Sequence, residues 1–148
     1  MRNSTIRSFI IAAIGFGASA HALGADEPGK RCSDAMLKGS YGIQMQGTRI
    51  LPGGVTESGI GVVIRHYDGQ GGVTQVDNIK WSITGWVPDR PGEGKYHVND
   101  DCSVVIDFEP VPGFLIQERA VLVDSSHEVR SITVLPPTIM VTSVQIRI

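Results

Sequence analysis

The 148-residue sequence contains only two cysteines, few aromatic residues (6%) and 19% charged residues. After its N-terminal segment, no stretch approaches the roughly 18 uninterrupted apolar residues that a membrane-spanning helix needs. Its basic residues are scattered, whereas proteins that bind nucleic acids or anionic membranes cluster Lys and Arg on one surface. The composition therefore argues against a membrane span and a nucleic-acid partner.

The sequence also lacks the common catalytic and metal-binding motifs. Neither a Gly-x-Ser-x-Gly elbow nor a His-x-x-x-His or Cys-x-x-Cys pair occurs, so nothing indicates an α/β-hydrolase or a zinc site. His66, His97 and His127 are far apart in the chain and are interpreted as independent surface residues. We predict no metal site and no cofactor, and no catalytic residue can be assigned.

The N-terminus, "MRNSTIRSFIIAAIGFGASAHALGADEPGK", has the order of features of a secretory signal peptide. Arg2 and Arg7 precede a short apolar core, and small residues at 18–22 provide cleavage sites. A buried N-terminal helix is the alternative. The predicted organisation is a signal peptide at 1–22, a lead-in with a short helical turn at 23–39, and one β-barrel domain at 40–148. We expect export to the periplasm or the extracellular space.

Export bears on the interpretation of Cys32 and Cys102. Disulfides persist in oxidising compartments, and two cysteines allow a single internal pairing. A Cys32–Cys102 disulfide is therefore predicted, with two buried free thiols as the alternative. Metal binding is disfavoured, because neither cysteine has a Cys or His neighbour at ligand spacing.

Beyond the lead-in, turn residues recur at short intervals between runs rich in β-branched residues, which is typical of an all-β fold. We predict about eight antiparallel strands that close into a barrel, with a β-sandwich as the alternative. The predicted strands are 40–49, 57–67, 72–86, 94–99, 102–109, 113–124, 128–135 and 138–147. Turns are expected at 68–71, where Asp and Gly tolerate positive φ, and at 87–94, where Pro88 and Pro91 disfavour a central strand.

Alternation within these segments identifies the inward faces. Glu118 interrupts an otherwise apolar face in the segment 113–124. A lone carboxylate at such a position indicates a bulge, a partner or a function. We favour a bulge or an arginine partner, and Arg119 and Arg130 are the arginines nearby in the chain.

Three segments carry a resemblance to known proteins. "GSYGIQMQGT" follows a cysteine, and "HYDGQGGVTQVD" and "GKYHVNDDCSVVIDF" come after it. Together they resemble small exported bacterial barrels grouped with allene oxide cyclase and the lipocalin-like calycins, over most of residues 32–124. The resemblance implies a barrel cross-linked by a Cys32–Cys102 disulfide, and a cavity that holds a substrate or ligand. It assigns no catalytic residue.

These observations leave three functional hypotheses open. The first is an exported barrel that binds a small hydrophobic ligand in its interior. The second is an isomerase or cyclase that acts on a lipid- or polyketide-like substrate in the same cavity, and the third is an envelope interaction protein without a ligand. The oligomeric state is not predicted. The candidate ligand-binding residues are Trp81, Trp86, Tyr41 and Arg119.

Overall fold

A computed structural model describes residues 31–148, which form a closed antiparallel barrel. Each strand pairs with the next in sequence, and the last strand pairs back with the first. The predicted eight-stranded barrel is confirmed. The signal peptide predicted at 1–22 and the lead-in residues 23–30 lie outside the described residues. The strands are β1 Lys38–Ile50, β2 Thr56–Asp68, β3 Gly72–Trp81, β4 Gly85–Val98, β5 Ser103–Glu109, β6 Ile116–Val123, β7 Glu128–Leu135 and β8 Ile139–Arg147.

Strict alternation along the strands sends every second side chain into the barrel. In β2, Val63 and Arg65 are buried, whereas Val62 and Ile64 are each 61% exposed on the outer surface. This is the two-residue period of a strand with one face toward a core. The interior is therefore filled by one face of each strand, and the polar residues on that face have to find partners there.

One half of the interior is filled by tyrosines and aliphatic side chains. The rings of Tyr41 and Tyr67 pack edge to face with their centroids 5.3 Å apart, and Tyr67 packs in the same way on Tyr96 at 5.0 Å. A short 3₁₀ turn, Asp34–Met36, lies over this end. The Tyr96 hydroxyl donates a hydrogen bond to the Leu37 carbonyl at 2.8 Å. We call this the closed half of the barrel.

A disulfide joins Cys32 to Cys102, with Cα atoms 5.0 Å apart, so the predicted pairing is confirmed. It links the segment before the 3₁₀ turn to the turn between β4 and β5. The backbone N–H of Cys32 also donates to the Asp100 carbonyl at 3.3 Å. The N-terminal segment is thereby fixed over the closed half. A disulfide is compatible with an oxidising compartment, and within residues 31–148 no helix is long and apolar enough to cross a membrane.

The turn between β2 and β3 has the conformation that its glycines predict. Gly69 and Gly71 adopt φ of 81° and 100°, a region open to glycine and costly for other residues. The Asp68 carboxylate accepts the N–H groups of Gln70 at 2.6 Å and Gly72 at 2.9 Å. These hydrogen bonds lower the pKa of Asp68. The Asp-Gly-x-Gly segment is a hairpin turn, as predicted.

The turn predicted at 87–94 is wrong, because both prolines lie inside β4. The hairpin reverses at 82–84, so the strand predicted over 72–86 is in fact the whole of β3 and the start of β4. Opposite Asn78 the register shifts, and Pro88 and Asp89 together face that single residue. Such a bulge leaves a residue without ladder hydrogen bonds, which is where a strand tolerates proline.

Removing the disulfide tests its contribution to stability. The chain-entropy argument assigns about 4 kcal/mol to a cross-link over a separation of 70 residues. We expect the Cys32→Ser/Cys102→Ser variant to lose about 2–4 kcal/mol in free energy of unfolding, as measured by urea titration. The reduced wild-type protein is the control and should match the variant. Equal unfolding free energies for the variant and the oxidised protein would contradict the expectation.

Candidate functional site

The other half of the barrel, which we call the open half, contains a cavity of about 60 Å³. Phe114 lines it and is 41% exposed, so the cavity reaches the surface beside the loop between β5 and β6. Most of its walls are apolar, and its polar residues come from seven strands. The lining residues are Ile43, Met45, Arg49, Val63, Arg65, Gln75, Asp77, Ile79, Trp81, Arg90, Phe108, Phe114, Ile116, Glu118, Ser131, Thr133, Ile139, Val141 and Ser143.

The floor of the cavity is the buried guanidinium of Arg65, and it is fully hydrogen-bonded. Its Nε and Nη2 donate to the Gln75 side-chain oxygen at 2.8 and 2.6 Å. Nη2 and Nη1 also donate to the two oxygens of Glu118 at 2.9 and 3.1 Å. Nη1 donates in addition to the Tyr67 hydroxyl at 3.3 Å. A guanidinium has five N–H donors, and these contacts use all of them.

Glu118 is the carboxylate that interrupts the apolar face of β6, and its partner is Arg65. The prediction of an arginine partner is confirmed. That partner is neither Arg119 nor Arg130, the two arginines that are close to Glu118 in the chain. The other feature expected at Glu118 was a bulge. The register between β6 and β7 does shift there, between Gln117 and Glu118. Burial alone would raise the pKa of Glu118, but the Arg65 charge and hydrogen bonds outweigh it and hold that pKa below its usual value.

A second ion pair lies between the floor and the surface. Gln75, whose oxygen accepts from Arg65, donates through its amide nitrogen to Asp77 at 3.4 Å. Asp77 is 2% exposed and accepts Nε of Arg90 at 3.1 Å and Nη2 at 3.0 Å. The Arg90 side chain is 24% exposed. The hydrogen-bonded network therefore runs from Arg90, which reaches solvent, to Arg65 at the centre of the barrel.

Glu57 ties the β3–β4 hairpin to the rim of the open half. It accepts Nε of Arg49 at 2.6 Å and the backbone N–H groups of Thr84 and Ile83 at 2.9 and 3.1 Å. Burial alone would raise the pKa of Glu57, but these donors outweigh it and lower the pKa to about 2. The carboxylate is thus ionised at every physiological pH and holds Arg49 in place.

Trp81 is part of the cavity wall and lies between a glycine and an arginine. The Arg49 guanidinium carbon sits 4.2 Å from the centre of its ring. At Gly59 a Cβ atom would fall 2.4 Å from the ring, so only glycine leaves room for the indole there. Trp81 is 4% exposed. Within residues 31–148 its Nε1 has no hydrogen-bond partner.

Of the four predicted ligand-binding residues, only Trp81 lines the cavity. Tyr41 is fully buried in the closed half, where its hydroxyl donates to the Ser126 carbonyl at 2.7 Å. Trp86 is 54% exposed on the outer surface, and Arg119 is exposed beside Glu118. Whether any of the four contacts a ligand stays a prediction. The structure brings Trp81 together with Arg65 and with residues that the sequence did not single out, such as Asp77 and Arg90.

The three histidines do not contribute to this site. His66, His97 and His127 are all exposed and none lines the cavity. No group of three or more His, Cys, Asp or Glu side chains in the described part of the chain is placed to hold a metal ion.

Comparisons with known proteins add little to this geometry. No protein-family model matches the chain, and no curated protein matches it. Among solved structures, a redesigned β-barrel is similar, with a TM-score of 0.46 and 15% identity, and the match covers 78% of this chain and 94% of that one. At that level of similarity, the redesigned barrel carries no information about a ligand or an activity of this protein. Membership of the calycin or allene oxide cyclase families is not shown.

Truncating Glu118 tests the contribution of the buried Arg65–Glu118 ion pair to stability. Glu118→Ala leaves the Arg65 guanidinium buried without its counter-charge, and breaking a buried pair in this way costs about 3–5 kcal/mol. Arg119→Ala, at the next residue but on the outer face, should change the unfolding free energy by less than about 0.5 kcal/mol. The double variant Arg65→Met/Glu118→Leu should recover most of the loss, since it removes both charges of this pair. Urea unfolding at pH 7 measures all three, and equal losses for Glu118→Ala and Arg119→Ala would contradict the assignment.

Acid titration tests the Glu57 contacts. A carboxyl whose pKa is lower in the folded protein than in the unfolded chain stabilises the fold above its ordinary value of 4.5, and this stabilisation is lost as pH falls toward about 2. We expect Glu57→Gln to flatten the fall in unfolding free energy between about pH 5 and pH 2 relative to wild type. Glu93→Gln changes an exposed carboxylate and serves as the control. An unchanged pH slope in Glu57→Gln would overturn this account.

Proposed function

We propose that the open half of the barrel binds a small, mainly apolar ligand, and that the protein is an exported binding barrel of the calycin-like or allene oxide cyclase-like type. The observation that supports this most directly is the cavity itself. Aliphatic and aromatic side chains line it above a floor whose charges are already neutralised and hydrogen-bonded to one another. Ligand sites commonly combine apolar walls with a few fixed polar groups in this way.

The size of the cavity favours a small ligand over a lipid or a polyketide. A volume of about 60 Å³ is far below the several hundred Å³ typical of sites for drug-sized molecules. It suits a few heavy atoms, with more of the ligand at the mouth beside Phe114. A cyclase acting on a lipid-sized substrate would require the walls to move apart.

The state of Glu118 favours binding over acid–base catalysis. A general acid or base at neutral pH needs a pKa near that pH and a free lone pair or proton. The pKa of Glu118 is instead lowered, and its oxygens accept from Arg65 and, at 2.8 Å, from the Ser131 hydroxyl. A carboxylate held in this way acts as the counter-charge of the floor. The cavity disfavours the third hypothesis, an envelope interaction protein with a filled core and no ligand.

Xenon provides a test that does not depend on knowing the ligand, because it enters small apolar cavities without needing hydrogen bonds. Under xenon pressure, we expect backbone amide shifts to change around Val63 and Ile79 in the open half, and not around Tyr41 or Tyr96 in the closed half. Val63→Phe, whose side chain points into the cavity, should abolish these changes at a stability cost of about 1–3 kcal/mol.

The neighbouring residue gives a matched control for this experiment. Val62→Phe makes the same substitution on the outer surface, where Val62 is 61% exposed, and should leave the xenon response intact. Val141→Phe, in the wall formed by β8, is a second filling variant in case Val63→Phe does not fold. Xenon shifts that are absent in the wild type, or unchanged in both filling variants, would overturn the proposal.

A further inference from the structure

We infer that the ligand of this cavity is a small neutral molecule that carries a carbonyl-type oxygen, and that this oxygen accepts a hydrogen bond from the indole Nε1 of Trp81. The inference rests on the proposed binding function and adds the chemical class of the ligand. Two observations carry it: the charge balance of the cavity, and the kind of polar group that the protein leaves without a partner.

The charges of the cavity are balanced without a ligand. Its lining includes three arginines, Arg49, Arg65 and Arg90, and each has its own carboxylate. Arg65 pairs with Glu118 at 2.9 Å and Arg90 with Asp77 at 3.0 Å. Arg49 pairs at 2.6 Å with Glu57, which lies behind it and does not line the cavity. An ionic ligand would bring an unpaired charge into this space, and burying such a charge is costly. A neutral ligand avoids that cost.

The buried polar atom that the protein leaves without a partner at the site is a hydrogen-bond donor. Trp81 is 4% exposed, and among residues 31–148 its Nε1 has no partner. Nη1 of Arg49 and Nη1 of Arg90 also have no acceptor among the same residues, but these side chains are 26% and 24% exposed and can donate to solvent. Indole nitrogen and guanidinium can only donate. A buried donor without a partner is rare in native proteins and is destabilising, so an acceptor brought in by the ligand relieves it.

The two carboxylates that line the cavity already accept hydrogen bonds from the protein. Glu118 accepts from Arg65 and Ser131, and Asp77 accepts from Arg90 and Gln75. A ligand hydroxyl or amine would therefore bring a further donor to carboxylates that already have donors. A ketone, aldehyde, ester or lactone supplies an acceptor and no donor, while its apolar body packs against Val63, Ile79 and the other wall residues.

Four probes that share a cyclopentane ring separate these requirements. Cyclopentanone is neutral and accepts; methylenecyclopentane has the same shape without an acceptor; cyclopentanol adds a donor; cyclopentanecarboxylate adds a charge. Each is titrated into the disulfide-bonded protein and followed by proton–nitrogen NMR. The two indole N–H signals are assigned with Trp86→Phe, which changes only the exposed tryptophan. Amide shifts of the cavity residues report binding, and the Trp81 indole proton reports hydrogen bonding.

We expect cyclopentanone to bind about tenfold more tightly than methylenecyclopentane, which corresponds to about 1.4 kcal/mol, and to move the Trp81 indole proton downfield. The alcohol and the carboxylate should bind more weakly than the ketone. Trp81→Phe keeps an aromatic ring but removes the donor, so it should bring the ketone's affinity down to that of the methylene compound. The shift of the indole proton in the wild type does not depend on how that variant folds.

The outcomes distinguish this inference from the proposed function. Equal affinity for ketone and methylene compound, with an unmoved indole proton, would overturn the inference and leave an apolar binding site. An indole proton already hydrogen-bonded to water, and unchanged by the ketone, would overturn it as well, as would tighter binding of the carboxylate. If xenon enters the cavity but none of the four probes shifts its residues, the inference fails alone. If xenon also stays out, both fail.

Discussion

The pairing of β8 with β1 is the constraint on which the rest of this structure depends. From Tyr41 opposite Arg147 to Arg49 opposite Ile139, the last strand returns to the first and closes the sheet. Closure removes the unpaired edges that invite aggregation. It also directs one face of all eight strands into a shared interior of fixed width. An inward polar side chain cannot turn to solvent, so the interior holds ion pairs instead of isolated charges.

Side-chain size explains why one half of this interior is filled and the other contains a cavity. The closed half receives three tyrosines that pack edge to face and a 3₁₀ turn held over them. At the level of the cavity, two inward positions that line it carry small residues, Ser131 and Ser143. The same eight strands form both halves of the barrel. The size of the inward side chains therefore decides how much of each half is filled. The cavity is therefore encoded by small residues, while the large residues around it supply its chemistry.

The sequence was sufficient to predict the fold but only part of the site. Alternation and turn glycines predicted the strands and the hairpin at Asp68, because these features depend on neighbours in the chain. Closure was predicted for a different reason, since it leaves no unpaired strand edges. Glu118 was recognised as unusual for the same reason. Its partner Arg65 was missed because the two residues are 53 positions apart, and only barrel closure brings their strands to the same level. The proline bulge in β4 was missed as well, since proline by itself is compatible with a turn or a bulge.

The polar floor ties together strands from different walls of the barrel. Arg65 on β2 contacts Gln75 on β3 and Glu118 on β6, and Glu118 contacts Ser131 on β7. A slip of one residue in any of these strands would turn its side chain outward and leave a buried guanidinium or carboxylate unpaired. Ion pairs of this kind are weak evidence for stability, but here their geometry is met in only one register. The same contacts that neutralise the floor thus fix the strands that carry Trp81, Val63 and Ile79. The shape of the cavity and the occupation of its carboxylates therefore follow from one set of hydrogen bonds.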